Sequence, residues 1–188
     1  GLVVRTTGGG TARIVPRRGA NYGVSVEASD LMIDGLEVQG FKRAGISMGH
    51  DSESLRNIII SNTVVRAPDD GQFHDGVVVY QDFRKRGKPV IDGLLMRNVQ
   101  VIGAGLGISC NAGPCRHWWL EDVTVRNAVG QGWGADAIAV ESGDNIVMVR
   151  VHVQRSAADG IDMKARHVLV RDSHVHDCNR NGVKLWFG

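Results

Sequence analysis

The sequence predicts an all-β fold, a right-handed single-stranded parallel β-helix of about seven coils. Three observations predict it. A small–apolar–variable–apolar segment returns at intervals that fit one coil of a solenoid. A second apolar column alternates with period two between those returns. No connection is long and periodic enough for the amphipathic helices of a doubly wound α/β fold, and a sandwich would not give a 22-residue self-similarity.

Taken in order, the first column begins with Gly23-Val24-Ser25-Val26 and continues through Gly45-Ile46-Ser47-Met48 and Gly76-Val77-Val78-Val79. It goes on as Gly107-Ile108-Ser109-Cys110, Ala137-Ile138-Ala139-Val140, Gly160-Ile161-Asp162-Met163 and Gly182-Val183-Lys184-Leu185. The first apolar residues stand 22, 31, 31, 30, 23 and 22 positions apart. The middle coils therefore carry longer loops. The second column reads Ile33 to Val38, Ile60 to Val65, Met96 to Val101, Leu120 to Val125, Met148 to Val153 and Val170 to Val175. Most of its segments carry Asn or Asp near the middle, as at Asn62, Asn98, Asp122 and Asp172.

One coil cannot bury its own inward residues. Stacked at about 4.8 Å, the coils would align Val24, Ile46, Val77, Ile108, Ile138, Ile161 and Val183 as a continuous apolar row. The small residue before each strand suits a tight bend where a Cβ would crowd the next coil.

Composition agrees. Only 5% of residues are aromatic and 25 are Gly, so Val, Ile, Leu and Met must supply the interior. The formal charge is +2, and the densest basic stretch, Arg84-Lys85-Arg86 with Lys88, is short and reads as a loop tip. This argues against nucleic-acid binding. No apolar run approaches a membrane span, and nothing at Gly1 resembles a signal peptide. Residues 1–188 are expected to form a single domain. Because no polar cap stands at either end of the pattern, that domain is expected to be a segment of a longer chain. Cys110 and Cys115 are close enough to pair across the intervening turn, leaving Cys178 free; the spacing fits no zinc motif.

If Ile161 and Met163 point inward, Asp162 and Lys164 point outward. This register gives one outward row of Ser25, Ser47, Val78, Ser109, Ala139, Asp162 and Lys184. A second contains Glu27, Gly49, Tyr80, Asn111, Glu141, Lys164 and Trp186. The last three coils concentrate Glu141, Asp162, Lys164, Lys184 and Trp186, with Asp136 and Asp159 at the bends before them. Chemistry is expected there. The ordinary alternative is a ladder of cross-strand ion pairs, Asp162 on Lys184 and Glu141 on Lys164, with Asp at the bends bonding nearby amides.

The whole chain resembles the pectin-lyase-like β-helix superfamily, whose members mostly cut or epimerise polysaccharides. Ala158-Asp159-Gly160-Ile161-Asp162 is similar to the calcium-binding Asp-Asp-x-x-Asp motif of family-nine polysaccharide lyases. Asn181-Gly182-Val183-Lys184-Leu185 resembles the Asn-Gly-x-Lys-Leu segment that carries their catalytic lysine. The resemblance implies calcium ligands at Asp159 and Asp162, with Asp136 or Glu141 added, and a base at Lys184; Lys164 is the second candidate lysine. Trp186, Tyr80 and Asn111 of the outward row, with Trp133 of the Gly130–Gly134 loop, are the candidate substrate-binding residues. The partner would be a polysaccharide and the setting secreted or cell-surface.

The implied chemistry is β-elimination on a uronate: calcium binds the substrate carboxylate and stabilises the enolate while lysine removes the adjacent hydrogen. An Asp162–Lys184 ion pair would raise the lysine pKa and oppose this. A glycoside hydrolase using two carboxylates such as Asp136 and Asp162, a uronan epimerase and a non-catalytic module are the alternatives. Three further features stand outside this site. His152 and His174 share a row within metal-binding reach, but no third ligand is evident, which favours stacked surface histidines. His74-Asp75 follows Asp69-Asp70 in a loop that could hang over the groove. Trp118 and Trp119 could stack on sugars or close gaps between coils.

Overall fold

The computed structural model describes residues 1–6, 10–49, 54–70, 72–79, 90–111, 113–130 and 134–186. Among these residues the protein is all-β, and its long parallel sheet curls 295° round an axis, an arrangement compatible with a β-helix. No helix in them is long and apolar enough to cross a membrane.

In chain order the strands begin with β1 (Leu2–Arg5), β2 (Ala12–Ile14), β3 (Tyr22–Val26), β4 (Leu31–Asp34) and β5 (Leu36–Gln39). They continue with β6 (Ala44–Met48), β7 (Leu55–Arg66), β8 (Asp75–Val79), β9 (Ile91–Ile102), β10 (Leu106–Cys110) and β11 (Cys115–Ala128). The last are β12 (Ile138–Val149), β13 (His152–Ser156), β14 (Ile161–Arg171), β15 (His174–Cys178) and β16 (Val183–Leu185).

The expected first column is a parallel ladder. It runs β3, β6, β8, β10, the start of β12, the start of β14, and β16. Its register pairs Val24 with Ile46, Ile46 with Val77, Val77 with Ile108, Ile108 with Ile138, Ile138 with Ile161 and Ile161 with Val183. From Ile46 to Ile161 this row is buried; Val24 is partly covered and Val183 is exposed at the end of the ladder.

The glycine pattern has the expected cause. A Cβ on Gly45 would sit 3.0 Å from the carbonyl oxygen of Gly76 on the next strand and run into the Val65 methyl. Only a hydrogen fits between those backbones.

The second column differs from its reading as one segment per repeat. It turns midway into two ladders, as where β4 and β5 meet at Gly35 and where β7 bends at Asn62. Asn62, Asn98, Asp122 and Asp172 all take left-handed φ between 48° and 53°. Asn and Asp tolerate this region better than other side-chain-bearing residues, which explains their recurrence. At two of these bends the side chains bond between neighbouring strands: Asn62 Nδ2 donates to the Asp34 carboxylate at 2.8 Å, and Asn98 Nδ2 donates to Asn62 Oδ1 at 2.8 Å.

The interior is a continuous cluster of Val, Ile, Leu and Met running from Val26 to Met163. Trp118 belongs to it, with its indole N–H directed at the Ile91 carbonyl, while Trp119 on the alternate face is exposed. Cys110 and Cys115 form a disulfide and Cys178 is a free thiol.

Candidate functional site

Three adjacent strands build the site on the outer face of the first ladder. Parallel pairing sets Ala139 against Asp162 and Asp162 against Lys184. The same register, taken back three residues to the bend, puts Asp136, Asp159 and Asn181 in one column. Each Asp there accepts an amide from the next strand. The Asp159 N–H donates to Asp136 Oδ1 at 2.8 Å, and the Asn181 N–H donates to Asp159 Oδ1 at 3.0 Å. Asn181 Nδ2 adds a second bond to the same oxygen at 2.7 Å. Asp beside the bend thus has the amide-bonding role its position suggested.

Lys184 joins the two acidic positions. Its ammonium donates to Asp162 Oδ2 at 3.1 Å and Asp159 Oδ2 at 3.3 Å. The Lys184 ammonium also stands 4.8 Å from the centre of the Trp186 ring, a cation–π contact. One strand back, the Lys164 ammonium meets Glu141 Oε2 at 2.5 Å and lies 4.0 Å from Asp162 Oδ2. A bulge between Val140 and Gly143 adjusts the register at Glu141.

The outward row is more covered than alternation alone suggests. Asp162 is only 4% exposed, Asp159 2% and Asp136 7%. Both lysines close over Asp162, leaving its Oδ1 buried without a hydrogen-bond partner among the described residues. Ser47 and Ser109 of the same row are also buried. The second row is more open: Asn111, Glu141 and Trp186 are exposed and Lys164 is partly exposed, although Gly49 is buried. Tyr80 and Trp133, like the Arg84–Lys88 stretch, lie outside the described residues.

Electrostatics separates the acids. Burial raises the Asp136 carboxyl above its ordinary range, and the charges of Asp159 and Asp162 add to that effect. Burial also works to raise Asp159, but the Asn181 bonds and the Lys184 ammonium outweigh it and hold the group low. Lys184 is pushed above its ordinary value, chiefly by its hydrogen bond to Asp162 and then by that to Asp159. In this arrangement the lysine is a firmly charged ammonium.

An open groove of about 520 Å³ adjoins this cluster. Arg116, Lys164, Arg166 and Trp186 line it with His117, and Asp144 is the one acidic lining residue among the described residues. Cationic groups beside an exposed indole suit an anionic sugar chain. Arg116 and Arg166 stand outside the two outward rows; their outward positions, paired through Asp144 in successive strands, are the signal in the sequence.

Away from the site, His74 is buried, with Nδ1 at 2.8 Å from the Lys42 carbonyl and Nε2 at 2.7 Å from Asp70. It ties the Asp70 turn to the preceding coil. On the third ladder His152 and His174 stack as expected, and His176 joins them. Burial, followed by the neighbouring rings, lowers the His152 pKa. Period-two spacing in His174-Val175-His176 was the signal for the third ring.

Comparison with protein-family models, curated proteins and solved structures returned no match.

Proposed function

We propose that this chain is a right-handed β-helix of about seven coils in the pectin-lyase-like mould. In this reading it holds an acidic, uronate-containing polysaccharide along its outer face and cleaves it by β-elimination. The single observation that carries the reading is the Lys184 ammonium shared by Asp159 and Asp162 beside a cationic, Trp-lined groove. Such a protein would work outside the cell, secreted or at the cell surface.

Arg116, Arg166 and Lys164 would pair with uronate carboxylates, and Trp186 would offer its ring face to a sugar. Lys184 would take the hydrogen beside the carboxylate; the electron pair forms the C4–C5 double bond as C4–O breaks. Lys164, 4.0 Å from Asp162, would return a proton to the departing oxygen. The products are an unsaturated uronate and a new reducing end. Asn111, exposed after β10, would contact a neighbouring sugar.

Calcium matches the donors in kind, although among the described residues these acids do not converge as a three-ligand group and Lys184 occupies both Asp159 and Asp162. Asp159 and Asp162, with Asp136 or Glu141, provide carboxylate oxygens, and Asp162 Oδ1 is buried without a partner among the described residues. Held by those carboxylates, calcium would supply positive charge that offsets the charge developing on the substrate carboxylate. Lys184 would act as a base only once Asp162 is drawn away from it, because the ion pair keeps the lysine protonated.

Hydrolysis is the second reading, favoured by the opposite shifts of Asp136 and Asp159, the pattern of an acid–base carboxyl pair. Incubation with pectate, alginate and glycosaminoglycans, with and without calcium, separates the possibilities. Elimination produces ultraviolet absorbance from the conjugated double bond, while hydrolysis produces reducing ends without it. Neither signal on any acidic glycan would leave a binding or structural module.

A further inference from the structure

We infer that His152, His174 and His176 form a binding site for a divalent transition metal of the zinc class, apart from the acid–lysine cluster. All three project from the third ladder, where His152 pairs with His174 and Gln154 with His176. Their potential ligand nitrogens all lie within 4.8 Å of one another. His152 Nε2 and His176 Nε2 are 3.0 Å apart. Two imidazole nitrogens on a tetrahedral zinc stand roughly 3.3 Å apart, given Zn–N bonds of about 2.0 Å. The pair therefore needs to open by only a few tenths of an ångström.

A carboxylate supports one ligand from behind. His176 Nδ1 lies 2.9 Å from Asp177 Oδ2. A carboxylate only accepts, so Nδ1 carries the hydrogen and Nε2 keeps its lone pair towards His152. This is the carboxylate–histidine support that metal-bound imidazoles use. His152 then donates its own Nε2 hydrogen to His176, and metal binding moves that hydrogen to His152 Nδ1, which frees the Nε2 lone pair.

His174 completes the set. Its ring stacks on both others, with centroids at 5.5 Å from His152 and 4.6 Å from His176. Imidazole lone pairs lie in the ring plane, so ligation requires His174 to swing out of the stack. Its exposure leaves room for that rotation. Arg126 acts against an added cation here through its positive charge near His152, while Asp177 acts in favour. Three nitrogen ligands suit zinc, copper(II) or nickel(II) better than calcium, and leave a coordination position for water or another ligand. Among the described residues β15 pairs only with β13, so the ion would also pin a terminal strand.

The test is titration of the chelator-stripped whole chain with zinc alone, read by calorimetry, with cobalt(II) absorption as a second measurement. One zinc per chain with micromolar affinity is expected, with unchanged binding in excess calcium. His174→Gln and His176→Gln should each weaken binding at least tenfold, and Asp177→Asn about tenfold. His117→Gln, outside the cluster, should have no effect. Saturating zinc should raise Tm by on the order of 5 °C. The site is overturned if the folded wild type binds no zinc at 100 times the expected dissociation constant, of about a micromolar. Equal binding by His174→Gln and His176→Gln, or loss of binding in His117→Gln alone, overturns it as well. Circular dichroism establishes that each variant is folded, and the wild-type cobalt spectrum reports nitrogen ligation without any mutation.

Discussion

Lys184 and Asp162 lie 22 residues apart in sequence and directly opposite each other in the sheet, with Nζ 3.1 Å from Oδ2. The ammonium supplies the counter-charge for a carboxylate that is 4% exposed, and a second lysine stands on its other side. Alone, this pair is a cross-strand ion pair. Within the proposed reading it is also a base held in its charged form.

Lys184→Ala should reduce elimination about 100-fold or more, the size of a lost general base. Lys184→Arg should be as inactive, because a guanidinium does not give up its proton, but should keep the ion pair. Arg should therefore retain a higher Tm than Ala. Ultraviolet assays beside thermal melts check both. Full activity in either variant would remove the base assignment.

Because its acidic partners raise the Lys184 pKa, elimination should speed up as pH climbs into the alkaline range. Its stabilising contribution has the matching sign. A folded pKa above the unfolded one gives stability that is complete below the ordinary 10.5 and disappears as pH rises through the folded value. Asp159 behaves oppositely: its contribution is present above its ordinary 3.8 and is lost as pH falls through the lower folded value. The melting difference between wild type and Lys184→Met should hold at neutral pH and narrow at both extremes.

Asp75, in the same bend column as Asp136 and Asp159, is pushed up to about 6, mainly by burial, and its Oδ1 has no hydrogen-bond partner among the described residues. The folded state therefore binds the proton more tightly than the unfolded chain. Stability must fall as pH rises from about 4 to about 6, with the full cost present above that. Asp75→Asn should stabilise the protein at pH 8 by roughly 2 kcal/mol, and the gain should vanish below pH 4. Urea unfolding at the two pH values decides it. A variant no more stable at pH 8 would show that the charge is solvated after all.

Gly160 and Gly182 occupy the same motif position but should respond differently to Ala. A Cβ at Gly160 would lie 2.5 Å from the Gly182 carbonyl oxygen and 2.8 Å from Cys178 Sγ. At Gly182 it would meet only Val175 Cγ1, at 3.8 Å. Gly160→Ala should cost about 1–3 kcal/mol, whereas Gly182→Ala should be near neutral. Equal Tm losses would mean that the bend, not the crowding, demands glycine.

Much of the fold was legible because the repeat is local. Each segment needs a small residue, then an inward apolar one, and the spacing from Val24 to Val183 reproduces the pairing strand by strand. Asp162 over Lys184 and Glu141 over Lys164 followed from that register. The second column's division was harder to see. Asn62 and Asp122 signalled a bend, but a left-handed residue within an unbroken strand leaves the apolar pattern nearly intact.

By itself the sequence determined parallel stacking, the inward row and which side chains became neighbours between strands, since alternation and repeat length are properties of the chain. Tertiary structure alone decided how deeply Asp136, Asp159 and Asp162 are covered, that Asn181 holds Asp159, and that His176 reaches His152. Burial and side-chain reach depend on what several strands place around an atom, and one segment's residues do not encode that surrounding.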